Sequence, residues 1–164
     1  MAAAAGQPES PDQAMAPLLA GQAGRAGVPP RVAFFLGDGS GIAIERSTIH
    51  VAAALASPAF KVDLVIARAV EPTARAEAAG ARLVRLTPES ATAARISAVR
   101  AWPLAILDLA LPVLWGSHPS LAYIKALADY LAQARPDALI ANGTYHNVTA
   151  ALARALAGVP TRLV

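Results

Sequence analysis

Two groups of residues in this chain have the types and spacing to bind a ligand. The first is a glycine-rich stretch that directly follows a short apolar run and contains Gly37, Gly39, Ser40 and Gly41. Glycines let the backbone approach a ligand closely and present its N–H groups at the start of a helix. We therefore expect Gly39, Ser40 and Gly41 to contact a phosphate or a sugar. The alternative is a strand-to-helix turn that needs glycine for its geometry only.

The second group lies in residues 142–147, after another short apolar run. His146 is the candidate catalytic residue, because a histidine near a helix start can donate a hydrogen bond to a sugar hydroxyl or a phosphate. The alternative, a polar residue at a helix start with no ligand, remains equally open. Thr144 and Asn147 are candidate ligand-binding residues, although helix capping is the favoured interpretation of both.

Glu45 and Arg46 open the helix that is predicted after the glycines. Glu45 is a further candidate for contact with an acceptor molecule or with a partner domain. The commoner alternative for such a neighbouring pair is a charged, solvated helix face.

Composition excludes several classes of function. The 164 residues carry a net charge of +3, which favours anionic partners, but aromatic residues are only 5% and no dense basic cluster is interleaved with them. Nucleic-acid binding is therefore disfavoured. Cysteine is absent, and His50, His118 and His146 show no metal-ligand spacing, so we expect no metal site and a metal-independent activity.

Two segments bear on location. Residues 1–30 are rich in Ala, Gly, Pro and Gln and lack the basic start and apolar core of a secretory signal, so they predict a disordered leader in a cytoplasmic protein. Residues 101–115 are very apolar but contain Pro103, Asp108 and Pro112, and they are shorter than the roughly 20 residues of a membrane span. A pair of core helices is favoured there, and peripheral membrane contact is the alternative.

The spacing of apolar residues predicts alternating strands and helices. Strands are expected at 32–36, 61–67, 81–86 and 138–141, with a fifth beginning at Thr161. Helices are expected at 42–57, 71–79, 121–131 and 148–156, with one or two helical pieces in 89–116 and with Ser117 or Ser120 capping the helix at 121–131.

This alternation predicts an α/β fold, a Rossmann-like doubly wound parallel sheet with strand order 3-2-1-4-5. Ligands of such sheets bind at the carboxyl ends of the strands, where the strand order reverses. That point lies between the first and fourth strands, so the loops 37–43 and 142–147 should converge there.

The last residues, 161–164, have the pattern of a buried strand that has just begun. We therefore expect residues 31–164 to form a domain that is truncated at its C-terminal end and that works with a second domain.

Four stretches, in order, resemble group 1 glycosyltransferases, the large retaining family 4 with the two-domain GT-B architecture. The glycines followed by ERSTIHVAAAL (45–55) resemble the family's GG-x-E-R…LA-x-x-L opening, and KVDLV (61–65) resembles its second strand. ARPDALI (134–140) is similar to the family's fourth strand and ARALAGVPT (153–161) to the helix end that follows. The likeness covers residues 31–164.

The resemblance implies the N-terminal domain of a bacterial enzyme of glycan biosynthesis that moves a sugar from a nucleotide-sugar donor to the hydroxyl of a glycan, lipid or small-molecule acceptor. In that family this domain mainly binds the acceptor, and the C-terminal domain, with an E-x(7)-E motif that this chain lacks, binds the donor. The resemblance implies donor or acceptor contacts for the loop of Gly39 to Gly41 and a sugar contact for His146, with no cofactor beyond the nucleotide sugar.

Two other functions remain open. An NADP-dependent oxidoreductase domain is one, since Arg68 after the second predicted strand suits a 2′-phosphate, although Ile42 stands where the dinucleotide fingerprint G-x-G-x-x-G requires its third glycine. The other is a non-catalytic module of the same fold that binds a nucleotide or a sugar.

Overall fold

The computed structural model describes residues 28–37, 42–67, 77, 79–101 and 119–164. Its strands are β1 (Arg31–Leu36), β2 (Lys61–Ile66), β3 (Arg82–Arg85), β4 (Ala138–Ala141) and β5 (Arg162–Leu163). Its α-helices are α1 (Ile42–Leu55), α2 (Ala91–Ala101), α3 (Ile124–Ala134) and α4 (Thr144–Ala157), with a 3₁₀ helix at Pro119–Tyr123.

The five strands form one parallel sheet in the order β3-β2-β1-β4-β5, which confirms the predicted Rossmann-like α/β topology. β1 and β2 read as nearly continuous apolar runs because helices cover both faces of the sheet. Along β1, Ala33 and Phe35 face a core shared with α3 and α4, whereas Phe34 and Leu36 face a core shared with α1. The alternation of β1 side chains thus places one helical layer on each side.

Helix boundaries differ from the sequence predictions at several points, since α3 covers Ile124–Ala134 and α4 begins at Thr144. α1 ends at Leu55, because Pro58 disfavours helical backbone before it and Ser57 bridges to Phe60. The prediction that Ser120 caps α3 is wrong. The 3₁₀ helix precedes α3, and Tyr123 occupies the cap position without a side-chain hydrogen bond. Ser117 and the apolar segment 101–115 beyond Ala101 lie outside the described residues, as do most of the predicted helix at 71–79 and the leader up to residue 27.

A buried carboxylate lies toward the amino ends of the strands. Asp63 of β2 is 2% exposed, and its register neighbours are Ala33 and Arg82. Arg82 donates two hydrogen bonds to the two oxygens of Asp63, from Nε to Oδ1 at 2.9 Å and from Nη2 to Oδ2 at 2.6 Å. The buried Tyr130 hydroxyl of α3 donates a third, also to Oδ2, at 2.6 Å, and Arg31 Nε lies 3.9 Å away. Both oxygens of this carboxylate are therefore hydrogen-bonded.

The same network changes the acidity of Tyr130. Burial, followed by the hydrogen bond to Asp63 and the negative charge of that carboxylate, raises the pKa of the Tyr130 phenol well above its ordinary value. The hydrogen bond to Asp63 likewise raises the pKa of Arg82.

Candidate functional site

A cleft of about 220 Å³ lies at the carboxyl ends of β1 and β4. These strands are neighbours, and their register sets Phe35 beside Ala141, so the residues that follow each strand emerge side by side. The cleft is lined by Phe35, Leu36, Gly37, Ile44, Glu45, Asn142, Gly143, Thr144, Tyr145 and His146. It therefore occupies the reversal point of the strand order, where the sequence predicts ligand binding.

Gly37 and His146 are in direct contact across this reversal point. A Cβ atom built on Gly37 would lie 1.8 Å from His146 Nε2 and 2.2 Å from its Cδ2. No side chain fits at position 37 while the imidazole keeps this place. The glycine is thus required by the close approach of the ring, which comes from the loop after β4.

The orientation of the His146 ring is set by two further contacts. His146 Nδ1 lies 2.6 Å from the carbonyl oxygen of Asn142, one helical turn back. A carbonyl only accepts hydrogen bonds, so Nδ1 carries the proton. The ring also meets Phe35 edge to face, with centroids 5.8 Å apart and planes at 80°. These contacts hold the imidazole at the wall of the cleft.

Glu45 is the second polar side chain in the cleft. Although it sits in the first turn of α1, it is only 5% exposed, whereas the next residue, Arg46, is exposed. Among the described residues, Glu45 Oε1 is buried without a hydrogen-bond partner. The interpretation of Glu45 as half of a solvated charged pair is therefore wrong, because α1 packs that face of its first turn against the end of β1.

The mouth of the cleft is apolar and partly aromatic. Ile44 is 45% exposed and Tyr145 is 39% exposed, and both line the cleft. None of the described lining residues is a lysine or an arginine. Apolar and uncharged polar groups thus make up most of the described lining, an arrangement that suits a ligand with hydroxyl groups and an apolar face.

The remaining predicted residues divide into three sets. Thr144 lines the cleft, but the exposed Asn147 does not. The capping interpretation of these two residues is wrong, since the N-cap of α4 is Gly143, whose φ of 103° suits glycine. Gly39, Ser40 and Gly41 lie outside the described residues, as does Arg68.

Sequence reasoning missed the parts that Gly37 and Asn142 play in this cleft. Gly37 directly follows β1 and Asn142 directly follows β4, two strands that were predicted to be neighbours. The available signals for the contact were a glycine one residue after β1 and a histidine five residues after β4. Their contact additionally needs the register of the two strands, which the apolar pattern does not supply.

Two features are absent from the described residues. No three or more His, Asp or Glu side chains there come together as ligands of a metal ion. No helix in the described part of the chain has the length and apolar character needed to cross a membrane.

Comparison with known proteins gives no family assignment. No protein-family model matches the chain, and no curated protein matches it either. What is established is a parallel α/β sheet with a cleft at its reversal point, which is lined by Gly37, Glu45 and His146.

Proposed function

We propose that this chain is the acceptor-side, N-terminal domain of a glycosyltransferase that moves a sugar from a nucleotide-sugar donor to an acceptor hydroxyl. The observation that carries the proposal is that His146, packed on Gly37, and the buried Glu45 line one cleft at the reversal point of the sheet. The four sequence stretches that resemble group 1 glycosyltransferases support it independently.

In this proposal the domain positions the acceptor and excludes water, while a second domain closes the cleft and holds the nucleotide. His146 contacts the transferred sugar, and the Asn142 carbonyl keeps its Nδ1 protonated, so that the ring presents one defined tautomer. Thr144 adds a hydroxyl at the rim. The enzyme uses no metal or cofactor besides the nucleotide sugar and works in the bacterial cytoplasm.

A transfer assay on the complete reading frame that encodes this chain tests the proposal. The assay follows a radiolabelled sugar from a panel of nucleotide sugars into glycan, lipid and small-molecule acceptors. We expect transfer that falls about a hundredfold in His146→Ala, the size of effect expected for a positioned histidine in a proton-transfer or hydrogen-bonding role. The matched control is His50→Ala, since His50 is exposed on α1.

The result against the proposal is transfer that is equally insensitive to both substitutions, or no transfer with any donor. The 164-residue chain by itself should be inactive, because in this proposal a second domain holds the nucleotide-sugar donor. Tight binding of NADPH to that chain would instead favour an oxidoreductase domain.

A further inference from the structure

We propose that Glu45 makes the cleft selective for an uncharged ligand rich in hydroxyl groups, so that a sugar ring, and not a phosphate group, lies against this side chain. The inference rests on the proposed function, because it assigns one part of the substrate to one end of the same cleft.

The Glu45 carboxyl group is buried and incompletely hydrogen-bonded. It is 5% exposed, and among the described residues its Oε1 has no hydrogen-bond partner. Buried polar atoms of native proteins are almost always hydrogen-bonded, and an unsatisfied one is costly. Because Glu45 lines the cleft, a ligand that brings a hydrogen-bond donor removes this cost.

The charge around Glu45 disfavours an anionic ligand. No lysine or arginine is among the described lining residues of the cleft. A phosphate in a partly enclosed cleft next to a carboxylate would meet repulsion, with no lysine or arginine among the described lining residues to offset it. The N-terminus of α1 favours one negative charge, and Glu45 in its first turn already provides it.

The polar groups around Glu45 suit a ligand that carries hydroxyl groups. A carboxylate accepts hydrogen bonds through both oxygens, whereas the Asn142 carbonyl already accepts one from His146. Hydroxyl groups fit these surroundings, since each donates one hydrogen bond and accepts others. The apolar rim of Ile44 and Tyr145 then offers a surface for the C–H face of a sugar ring.

Equilibrium binding to the 164-residue chain tests the proposal. The uncharged probes are methyl glucoside, methyl galactoside and methyl mannoside, and the anionic probe is inorganic pyrophosphate, each titrated with and without Mg²⁺. We expect at least one glycoside to saturate the chain without Mg²⁺ and its Kd to rise about tenfold or more in Glu45→Gln, as for the loss of a hydrogen bond to a charged group. Pyrophosphate should bind Glu45→Gln more tightly than it binds the unsubstituted chain.

Glu77→Gln is the matched control, because it makes the same chemical change at an exposed position outside the cleft and should alter neither Kd. If Glu45→Gln fails to fold, Glu45→Asp retains the charge but moves it away from the ligand, and should weaken glycoside binding likewise. The proposal is overturned if no glycoside saturates the chain, if binding ignores both substitutions at position 45 or needs Mg²⁺, or if pyrophosphate prefers the unsubstituted chain.

The two proposals fail in different ways. Glycoside binding that depends on Glu45, in a protein that transfers no sugar, would overturn the glycosyltransferase assignment and leave the selectivity standing. Sugar transfer by a protein whose glycoside binding does not depend on Glu45 would overturn only the selectivity.

Discussion

The two ends of one sheet hold two buried acidic side chains in opposite conditions. Toward the amino ends of the strands, Asp63 accepts three hydrogen bonds, two from Arg82 and one from Tyr130. At the carboxyl ends, Glu45 is buried with Oε1 unpartnered among the described residues. The first arrangement stabilises the fold by its own contacts, and the second is complete only with a ligand. The difference separates scaffold from site within one domain.

The largest effect that tests this contrast is expected from Asp63→Asn. The amide cannot accept from every donor around it, so we expect a loss of about 2–4 kcal/mol in the free energy of unfolding. A loss in the lower part of this range is expected because the Arg82 side chain is 55% exposed, so that water screens its attraction to Asp63. Urea unfolding at neutral pH measures it.

Glu45→Gln is the counterpart of that substitution at the other end of the sheet. It replaces a buried charge whose Oε1 has no partner among the described residues, so the free energy of unfolding should change by less than about 0.5 kcal/mol or increase. Equal losses for the two substitutions would remove the distinction between scaffold and site.

Gly37→Ala should produce the next largest loss, about 1–3 kcal/mol. The new methyl group takes the place of the His146 ring, which must leave Phe35 and the Asn142 carbonyl. If the contact is the cause, Gly37→Ala should lower the free energy of unfolding much less in the His146→Ala variant than in the unsubstituted chain, as a double-mutant cycle would show. Additive losses in urea unfolding would mean that the ring does not occupy this place.

A smaller, pH-dependent effect on the free energy of unfolding is expected from Tyr130, near the amino ends of the strands. The pKa of Tyr130 is raised in the folded protein, so above about pH 10 the unfolded chain loses the phenolic proton first and stability falls. Tyr130→Phe should cost about 1–2 kcal/mol at neutral pH, for one lost hydrogen bond to a charged group. Its stability should then decline less than that of the unsubstituted chain between pH 9 and 11 (roughly one unit either side of the usual phenol value). Parallel declines in urea unfolding would contradict the assigned network.

The smallest effect is expected where neither end of the sheet is involved. Lys125 and Asp129 pair at 2.6 Å on the outer face of α3, and both side chains are more than half exposed. Such pairs contribute little, so Lys125→Ala should leave the thermal midpoint unchanged within error. A clear drop would show that surface charge, and not the buried Asp63 network, dominates the electrostatics of this fold.

The sheet was predictable from sequence, but its two polar centres were predictable only in part. Alternating apolar runs and glycine turns gave the strands and their order, because a buried parallel strand imposes a strong local pattern. The Asp63 network was not foreseen, since Tyr130 is 67 residues away and reaches Asp63 only through the packing of α3 on the sheet.

The site shows the same limit. His146 was identified from its position after a strand, yet its contact with Gly37 depends on the register of β1 and β4 and on one rotamer. Glu45 next to Arg46 has the local sequence of a solvated pair, and only the packing of α1 at the end of β1 buries one of the two. Side-chain environment is therefore decided by tertiary contacts that the local pattern leaves open.

The claim that the cleft at the carboxyl ends binds a sugar is tested most directly by titrating the ¹⁵N-labelled chain with the methyl glycosides and following its backbone amide signals. We expect saturable shifts centred on Gly37, Glu45, Gly143 and His146, with the amides around Asp63 and Tyr130 unchanged. Shifts centred on Asp63 and Tyr130, or no saturable shift with any glycoside, would contradict it.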